Sequence, residues 1–186
     1  MNSYGEIDEH ALVDLARRDR SAFAELYRRH VQDVYAFARR RTGNAHDADD
    51  VTAVTFERAL RSLNRYKPSG SSLGILAWLY RIATNEIIDQ SRKRGRQQTA
   101  RGQRALRLLH NDAVAADTVD DTDPLLLAAL DGLPDRYNTV LSLRYIAGLD
   151  VADVAAHLGI SDGNCAVLTH RALAALRTAL QERTTE

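Results

Sequence analysis

Phe23, Leu26, Tyr27, Val31, Val34, Tyr35 and Ala38 recur at spacings of three and four along one unbroken stretch, a periodicity that an amphipathic helix satisfies and a strand does not. The same spacing returns in Ala11, Leu12, Leu15 and Ala16 between Asp8 and Arg18, and in Ala48, Val51, Phe56, Ala59, Leu60 and Leu63. It returns again in Ile75, Trp78, Leu79, Ile82, Ala83 and Ile87. Only three prolines occur in 186 residues, and Ala, Leu and Arg fill every periodic segment, so no strand pattern competes. The chain is predicted to be all-α.

The breaks between these segments set the organisation. Ser21 is the expected N-cap of the long second helix, Thr42-Gly43 its stop, and Asn44 to Asp47 the start of the third. Tyr66-Lys67-Pro68-Ser69-Gly70-Ser71-Ser72 ends the periodicity in a loop, and the next helix is expected to run to about Arg94. From Gly95 to Thr122 the pattern fades into a linker. Helices restart at Asp123-Pro124 and at Leu133-Pro134, with Gly148 closing the second. Two further helices meet at Leu158-Gly159-Ile160-Ser161, the arrangement of a helix-turn-helix. The expectation is two small helical modules, residues 8–95 and 123–183, joined by a linker over 96–122, with the helix-turn-helix in the second.

Charge is zero overall but unevenly spread. Arg81 to Arg107 holds eight Arg and Lys against two acids, and Leu108 to Asp135 holds seven Asp and no Lys or Arg. The first stretch suits phosphate and the second repels it. The lone Cys165 falls in phase with an apolar stripe and is expected to be a small core residue. No Cys/His pair has metal-ligand spacing, and no P-loop, His-Glu-x-x-His or nucleophile elbow is present. The expectation is a cytoplasmic protein without catalysis, metal or cofactor. The polar start, Met1 to Glu9, does not read as a secretory leader, and no apolar run reaches membrane-spanning length, so no membrane insertion is expected.

Asp47, Asp49 and Asp50 lie in the first turn of a helix, where carboxylates favour the positive end of its dipole. Neighbouring helical positions splay apart, so with His46 they form a docking surface more readily than a metal site. Trp78, Tyr80 and Arg81 follow the flexible loop and precede Arg92-Lys93-Arg94. Aromatics beside cations are what a single-strand DNA binder requires, although Trp78 is also in phase with core residues Ile75 and Ile82.

With these residues in view, the chain resembles the extracytoplasmic-function sigma factors of the sigma-70 family over nearly its whole length. The resemblance is carried by Ala22-Phe23-Ala24-Glu25-Leu26-Tyr27, Asp47-Ala48-Asp49-Asp50-Val51, Ala77-Trp78-Leu79-Tyr80-Arg81-Ile82-Ala83 and Ile88-Asp89-Gln90-Ser91-Arg92-Lys93-Arg94. In the second half it is carried by Leu133-Pro134-Asp135-Arg136-Tyr137, Leu158-Gly159-Ile160-Ser161 and His170-Arg171-Ala172-Leu173. It implies an RNA polymerase subunit, not an enzyme, with core polymerase (largest-subunit clamp, and flap) and promoter DNA as partners and an anti-sigma factor as a possible third. Asp47, Asp49, Asp50 and Phe56 match its clamp-docking helix. Asn85, Asp89, Arg92 and Lys93 match its −10 recognising helix, with Arg94 beside them. Tyr66, Lys67 and Trp78 belong to or flank the loop that holds a flipped base. Ser161, Asp162, Gly163, Ala166, Val167, His170 and Arg171 match its −35 recognition helix. The linker matches the segment threaded past the polymerase active site.

Two departures stand out. Ala53 replaces a customary Gln beside the docking carboxylates, and Gly163 to Thr169 lacks the Lys and Arg that usually read the −35 element. The second departure leaves open a sigma mimic that captures an anti-sigma factor. A stand-alone helix-turn-helix regulator is the other alternative, and transcription with core polymerase separates the three.

Overall fold

A computed structural model describes Tyr4 and residues 7–68, 73–105 and 123–184, with side chains of residues 97–105 and 184 excluded. Residues 69–72 of the expected base-holding loop and 106–122 of the expected linker lie outside this set.

Eight α-helices make up the described chain: α1 Glu9–Ala16, α2 Arg20–Thr42, α3 Ala45–Ser62, α4 Gly74–Ala105, α5 Pro124–Gly132, α6 Asp135–Leu141, α7 Val151–Leu158 and α8 Asp162–Thr184. A 3₁₀ turn, Leu63–Arg65, extends α3, and a π turn, Ser142–Ile146, extends α6. Each start has a local cause. Asp8, Asp19, Asn44, Asp123 and Asp150 all accept a hydrogen bond from an otherwise unpaired backbone N–H of the first turn. The α2 cap is Asp19 and not Ser21: its Oδ1 takes the Ser21 N–H at 2.7 Å, and its Oδ2 takes the Tyr4 hydroxyl at 2.6 Å. Gly43 ends α2 with φ of 75°, and Leu127 Cδ1 stands 2.7 Å from where a Cβ would be. The α4 helix runs well past Arg94, because Arg96, Gln97, Gln98 and Ala100 are good helix formers and no proline follows before Pro124.

The two expected modules share a core. One continuous cluster joins Val34 and Phe37 of α2, Val51 of α3 and Ile87 of α4 to Leu130 of α5, Val140 and Leu141 of α6 and Val154 of α7. A smaller cluster tucks α1 beneath the first module through Leu12, Val13, Leu26, Leu63, Tyr66 and Ile75.

Polar groups cross the same boundary. Arg41, 2% exposed, donates from Nε to Ser142 Oγ at 3.0 Å. Its second terminal nitrogen reaches Asp131 Oδ1 and Asn138 Oδ1, each at 2.8 Å. Asn138 is fixed in turn by donating to Leu130 O at 2.9 Å. Arg81 faces Asp153 at 3.7 Å, and Arg92 pairs with Asp135.

His157 of α7 lies near Arg81, and burial first, then that guanidinium, lowers its pKa from 6.5 to about 4. A histidine kept neutral in the folded state contributes stability that is present above pH 6.5 and lost as pH falls toward 4. Urea unfolding at pH 5 is therefore expected to show a parent weakened by about 2 kcal/mol relative to pH 7.5 through this group. In His157→Gln that part of the pH dependence should vanish; an unchanged pH profile would show that His157 is accessible to protons in the fold.

Candidate nucleic-acid and polymerase interface

The acidic start of α3 divides into two kinds of carboxylate. Asp47 is built into the helix cap: its N–H donates to Asn44 Oδ1 at 2.7 Å, and Asn44 Nδ2 donates to Asp47 Oδ2 at 2.8 Å. The same Oδ2 takes the Arg94 guanidinium. Asp49 and Asp50 are exposed, and His46 Nε2 lies 3.7 Å from Asp50 Oδ2. Phe56 is 5% exposed and meets the half-uncovered Tyr27 ring edge-on at 4.7 Å. A partner approaching this face meets Asp49, Asp50 and Tyr27, with Phe56 supporting from beneath. The sequence places Tyr27 on the apolar stripe of α2 and in the run that carries the resemblance, and nothing in its spacing marks it as the outer ring of the pair.

Along α4 the surface changes character once the helix leaves the core at Ile88. Asn85, Asp89 and Arg92 fall at i, i+4 and i+7, and therefore on one stripe, with Lys93 beside it. Asn85, Arg92 and Lys93 are exposed and Asp89 is half-buried. Arg94 follows Arg92 by two residues, roughly 200° around the helix, and points to α3 instead. The basic run thus serves two faces.

Arg58, Arg61 and Ser62 of α3 and Arg65 of the 3₁₀ turn face Ile82 and Asn85 of α4 across a groove of about 410 Å³. Glu86, buried, holds Arg58 at 2.6 Å, and Glu57 holds Arg61 at 2.6 Å. These arginines were not singled out from the sequence. Their spacing of three and seven, with Ile82 and Asn85 opposite, is the signal that finds them.

Tyr66 and Trp78 pack on each other at 5.2 Å with a 49° tilt, Tyr66 5% exposed and Trp78 half-buried. Burial raises the Tyr66 phenol pKa. Arg17 of α1 donates to Tyr66 O at 2.8 Å, tying the entrance of the loop to the first helix. Lys67 is exposed.

In the second module, Gly159 with φ of 64° turns α7 into α8, and Ile160 N donates to Ala155 O at 3.0 Å. Ser161 Oγ accepts from Asn164 N at 3.3 Å, capping α8. Cys165, Thr169 and Ala172 face inward and Leu168 is half-buried. Ser161, Asp162, Gly163, Ala166, Val167, His170 and Arg171 are all exposed, Val167 at 51%. The leading turn of α8 thus offers Asp162, Gly163 and Asn164, the second turn Ala166 and Val167, and the first Arg, Arg171, comes only in the third turn.

Among the described residues no three His, Cys, Asp or Glu side chains gather to hold a metal ion, and no helix is long and apolar enough to cross a membrane.

Residues 26–97 match the family model for Sigma-70 region 2, and residues 124–176 that for Sigma-70, region 4. The extracytoplasmic-function (ECF) RNA polymerase sigma factor SigW of Bacillus subtilis is 30% identical over 183 residues, covering 92% of this chain and 95% of its own. SigE of Mycolicibacterium smegmatis, another ECF RNA polymerase sigma factor, is 35% identical over 173 residues, covering 87% of this chain and 63% of its own. Among solved structures, CnrH in complex with the cytosolic domain of CnrY superposes with a TM-score of 0.59 at 25% identity, over 94% of this chain and 97% of that one. The sigma factor RpoE with the anti-sigma factor NepR from Bartonella quintana gives 0.54 at 25% identity, over 86% and 96%.

Proposed function

The chain belongs to the ECF sigma factors, non-catalytic subunits that bind core RNA polymerase and direct promoter-specific initiation, and from that premise we propose how its surfaces divide the work. Residues 8–95 dock on the polymerase clamp and open the −10 element, 123–183 approach the −35 element and the flap, and 96–122 link them. The observation that carries this division is the stripe of Asn85, Asp89, Arg92 and Lys93 beside the arginine groove, on the opposite side of α4 from the Arg94–Asp47 pair. An opened strand needs cations along its backbone and a wall against which unstacked bases can lie. Arg58, Arg61 and Arg65 extend the cationic path, Asn85 offers hydrogen bonds to a base edge, and Lys67 stands at the loop entrance. The packed Tyr66–Trp78 pair supports that loop. Run-off transcription with core polymerase, with and without this chain, tests the whole; promoter-dependent transcript that requires the chain is expected, and a repressed or unchanged yield would count against it.

Asp49 and Asp50 are the charges the clamp meets. Asp50→Arg should weaken capture of core polymerase by about tenfold without altering the thermal midpoint, because an exposed reversal repels a basic partner and costs little stability. Recovery equal to the parent in a pull-down would remove this surface from the docking site.

The −35 element is read mainly through shape and phosphates. Asp162, Gly163, Ala166 and Val167 cannot donate the paired hydrogen bonds that read guanine, while His170 and Arg171 reach backbone more readily than base edges. Single −35 substitutions should therefore change transcription by less than about fivefold, where one lost direct contact costs about 1–3 kcal/mol. A collapse at any single position contradicts this. The chain, like the Bartonella protein, is taken to have an anti-sigma partner, and to act in the cytoplasm where its polymerase is.

A further inference from the structure

The first helix holds the chain on both sides of the loop assigned to the flipped base. On the entrance side, Arg17 donates from its terminal nitrogens to Tyr66 O at 2.8 Å and to Asn64 O at 3.4 Å. On the exit side, Glu9 Oε1 accepts the Ile75 N–H at 3.1 Å, one of the donors left unpaired by the helix itself at the start of α4. A carboxylate at that end of a helix is also favoured by its dipole. Gly74, with φ of 51°, makes this approach possible, because a Cβ there would collide with the same Oε1. Glu9 is the first residue of α1 and Arg17 its C-cap, so roughly 12 Å of helix separates the two holds. Between them Leu12, Val13 and Ala16 share a buried cluster with Leu63, Tyr66 and Ile75.

The position of α1 is set in turn by α2. Arg29 donates to Ile7 O at 2.9 Å and to Tyr4 O at 2.7 Å, and the Tyr4 hydroxyl donates to Asp19. The second oxygen of Glu9 stands 3.3 Å from Nε2 of the buried His30.

We infer that α1 is a positioning element for −10 recognition: Arg17 and Glu9, at its two ends, fix the flanks of the base-holding loop at Tyr66 and Ile75, and so keep Lys67 and the first turn of α4 in register with the strand. This rests on the assignment of that loop to the flipped base. In this role neither Glu9 nor Arg17 touches DNA; each acts through the backbone atom it holds. A recognition loop is as precise as the rigid elements that support it. Fixing its flanks before the strand arrives removes an ordering cost from the binding step. Losing either hold returns that cost, and the loss falls on the one base that the loop takes.

The test uses holoenzyme assembled from core polymerase and the full chain as parent, Glu9→Ala, Arg17→Met or Glu9→Gln, with thermal unfolding of each free chain as the fold check. Methionine keeps an alkyl stem in place of Arg17 and drops its donors. Templates are a promoter that the parent transcribes and a series of it with one abasic site at successive non-template positions of the −10 element. Single-round transcript yield is the readout. The parent should lose about tenfold at one abasic position, the held base. On the intact promoter Glu9→Ala and Arg17→Met should each lose about tenfold, the equivalent of one charge-assisted hydrogen bond. At the held-base position they should match the parent, because the interaction they support is already gone. Glu9→Gln, which keeps an acceptor for the Ile75 N–H, should stay within about twofold of the parent throughout.

Variants that lose the same factor on every template, as a merely loosened fold would, overturn the positioning role. So do variants that match the parent on the intact promoter; in both cases the loop assignment survives on the parent's own sensitivity. If no single abasic position costs the parent more than its neighbours do, the loop holds no base and the role of α1 falls with it.

Discussion

Alanine at Arg92 and Lys93 together will reduce open-complex formation by roughly a hundredfold, since two charge-assisted contacts at about 1.5 kcal/mol each amount to two tenfold steps. Capture of core polymerase should stay within about twofold, because Asp49 and Asp50 stay exposed and keep their charge. The salt dependence carries its own signature. Each phosphate contact on a single strand contributes about 0.7 to the slope of log affinity against log salt, so the double variant should lose about 1.4. Arg94→Ala is the informative contrast. That side chain pairs with Asp47 across the helix, and its loss should loosen the α3 start slightly while leaving the salt slope alone. Permanganate reactivity of promoter thymines follows opening directly. Equal reactivity in the double variant and the parent, or an equal effect from Arg94→Ala, contradicts the division of the basic run between two faces.

Arg41→Ala should be the most destabilising single change outside the apolar core, at about 3–5 kcal/mol, because it leaves buried acceptors on the other module without their cation. Asn138 Oδ1 and Ser142 Oγ are both inside the protein, and they would keep only their mutual 3.1 Å bond. Ser142→Ala removes one neutral acceptor and should cost nearer 1 kcal/mol. Arg41→Lys should fall between, since an ammonium cannot span three acceptors that a planar fork reaches together. Urea denaturation of the three variants orders them. Were Arg41→Ala to unfold at the midpoint of the parent, the closed packing of the modules would not be the populated state in solution.

Much of this architecture is local in origin, and local rules found it. Apolar spacing located the helices of the first module and the Pro and Gly breaks those of the second among the described residues, with Thr42-Gly43, Asp123-Pro124 and Leu158-Gly159 marking real ends. The α2 cap was displaced by two residues because Asp19 and Ser21 are both good caps, and the choice is made by the Tyr4 hydroxyl, a contact fifteen residues away. The phase of α8 was also readable, Cys165 and Ala172 lying inward as the stripe required. Arg41 was not readable. In the last turn of a helix an arginine is explained by the dipole alone, and its partners stand 90 to 101 residues further along the chain. Arg94 illustrates the same limit at shorter range. A run of three cations looks like one patch until the helix angle sends two of them one way and the third the other. Phe56 and Tyr66, carried by resemblance, prove to be largely enclosed here, which gives them the task of supporting Tyr27 and the loop.

Cys165 holds the interior of the helix-turn-helix at 0% exposure, and burial raises its thiol pKa. As the only sulfhydryl in the sequence, it gives the protein a clock of its own. An alkylating reagent can reach it only when α8 lifts away from the core it packs on, so at high reagent the modification rate equals the frequency of that opening and at low reagent its equilibrium. The loosening of the second module, alone or on the polymerase, can thus be timed without adding a single foreign label.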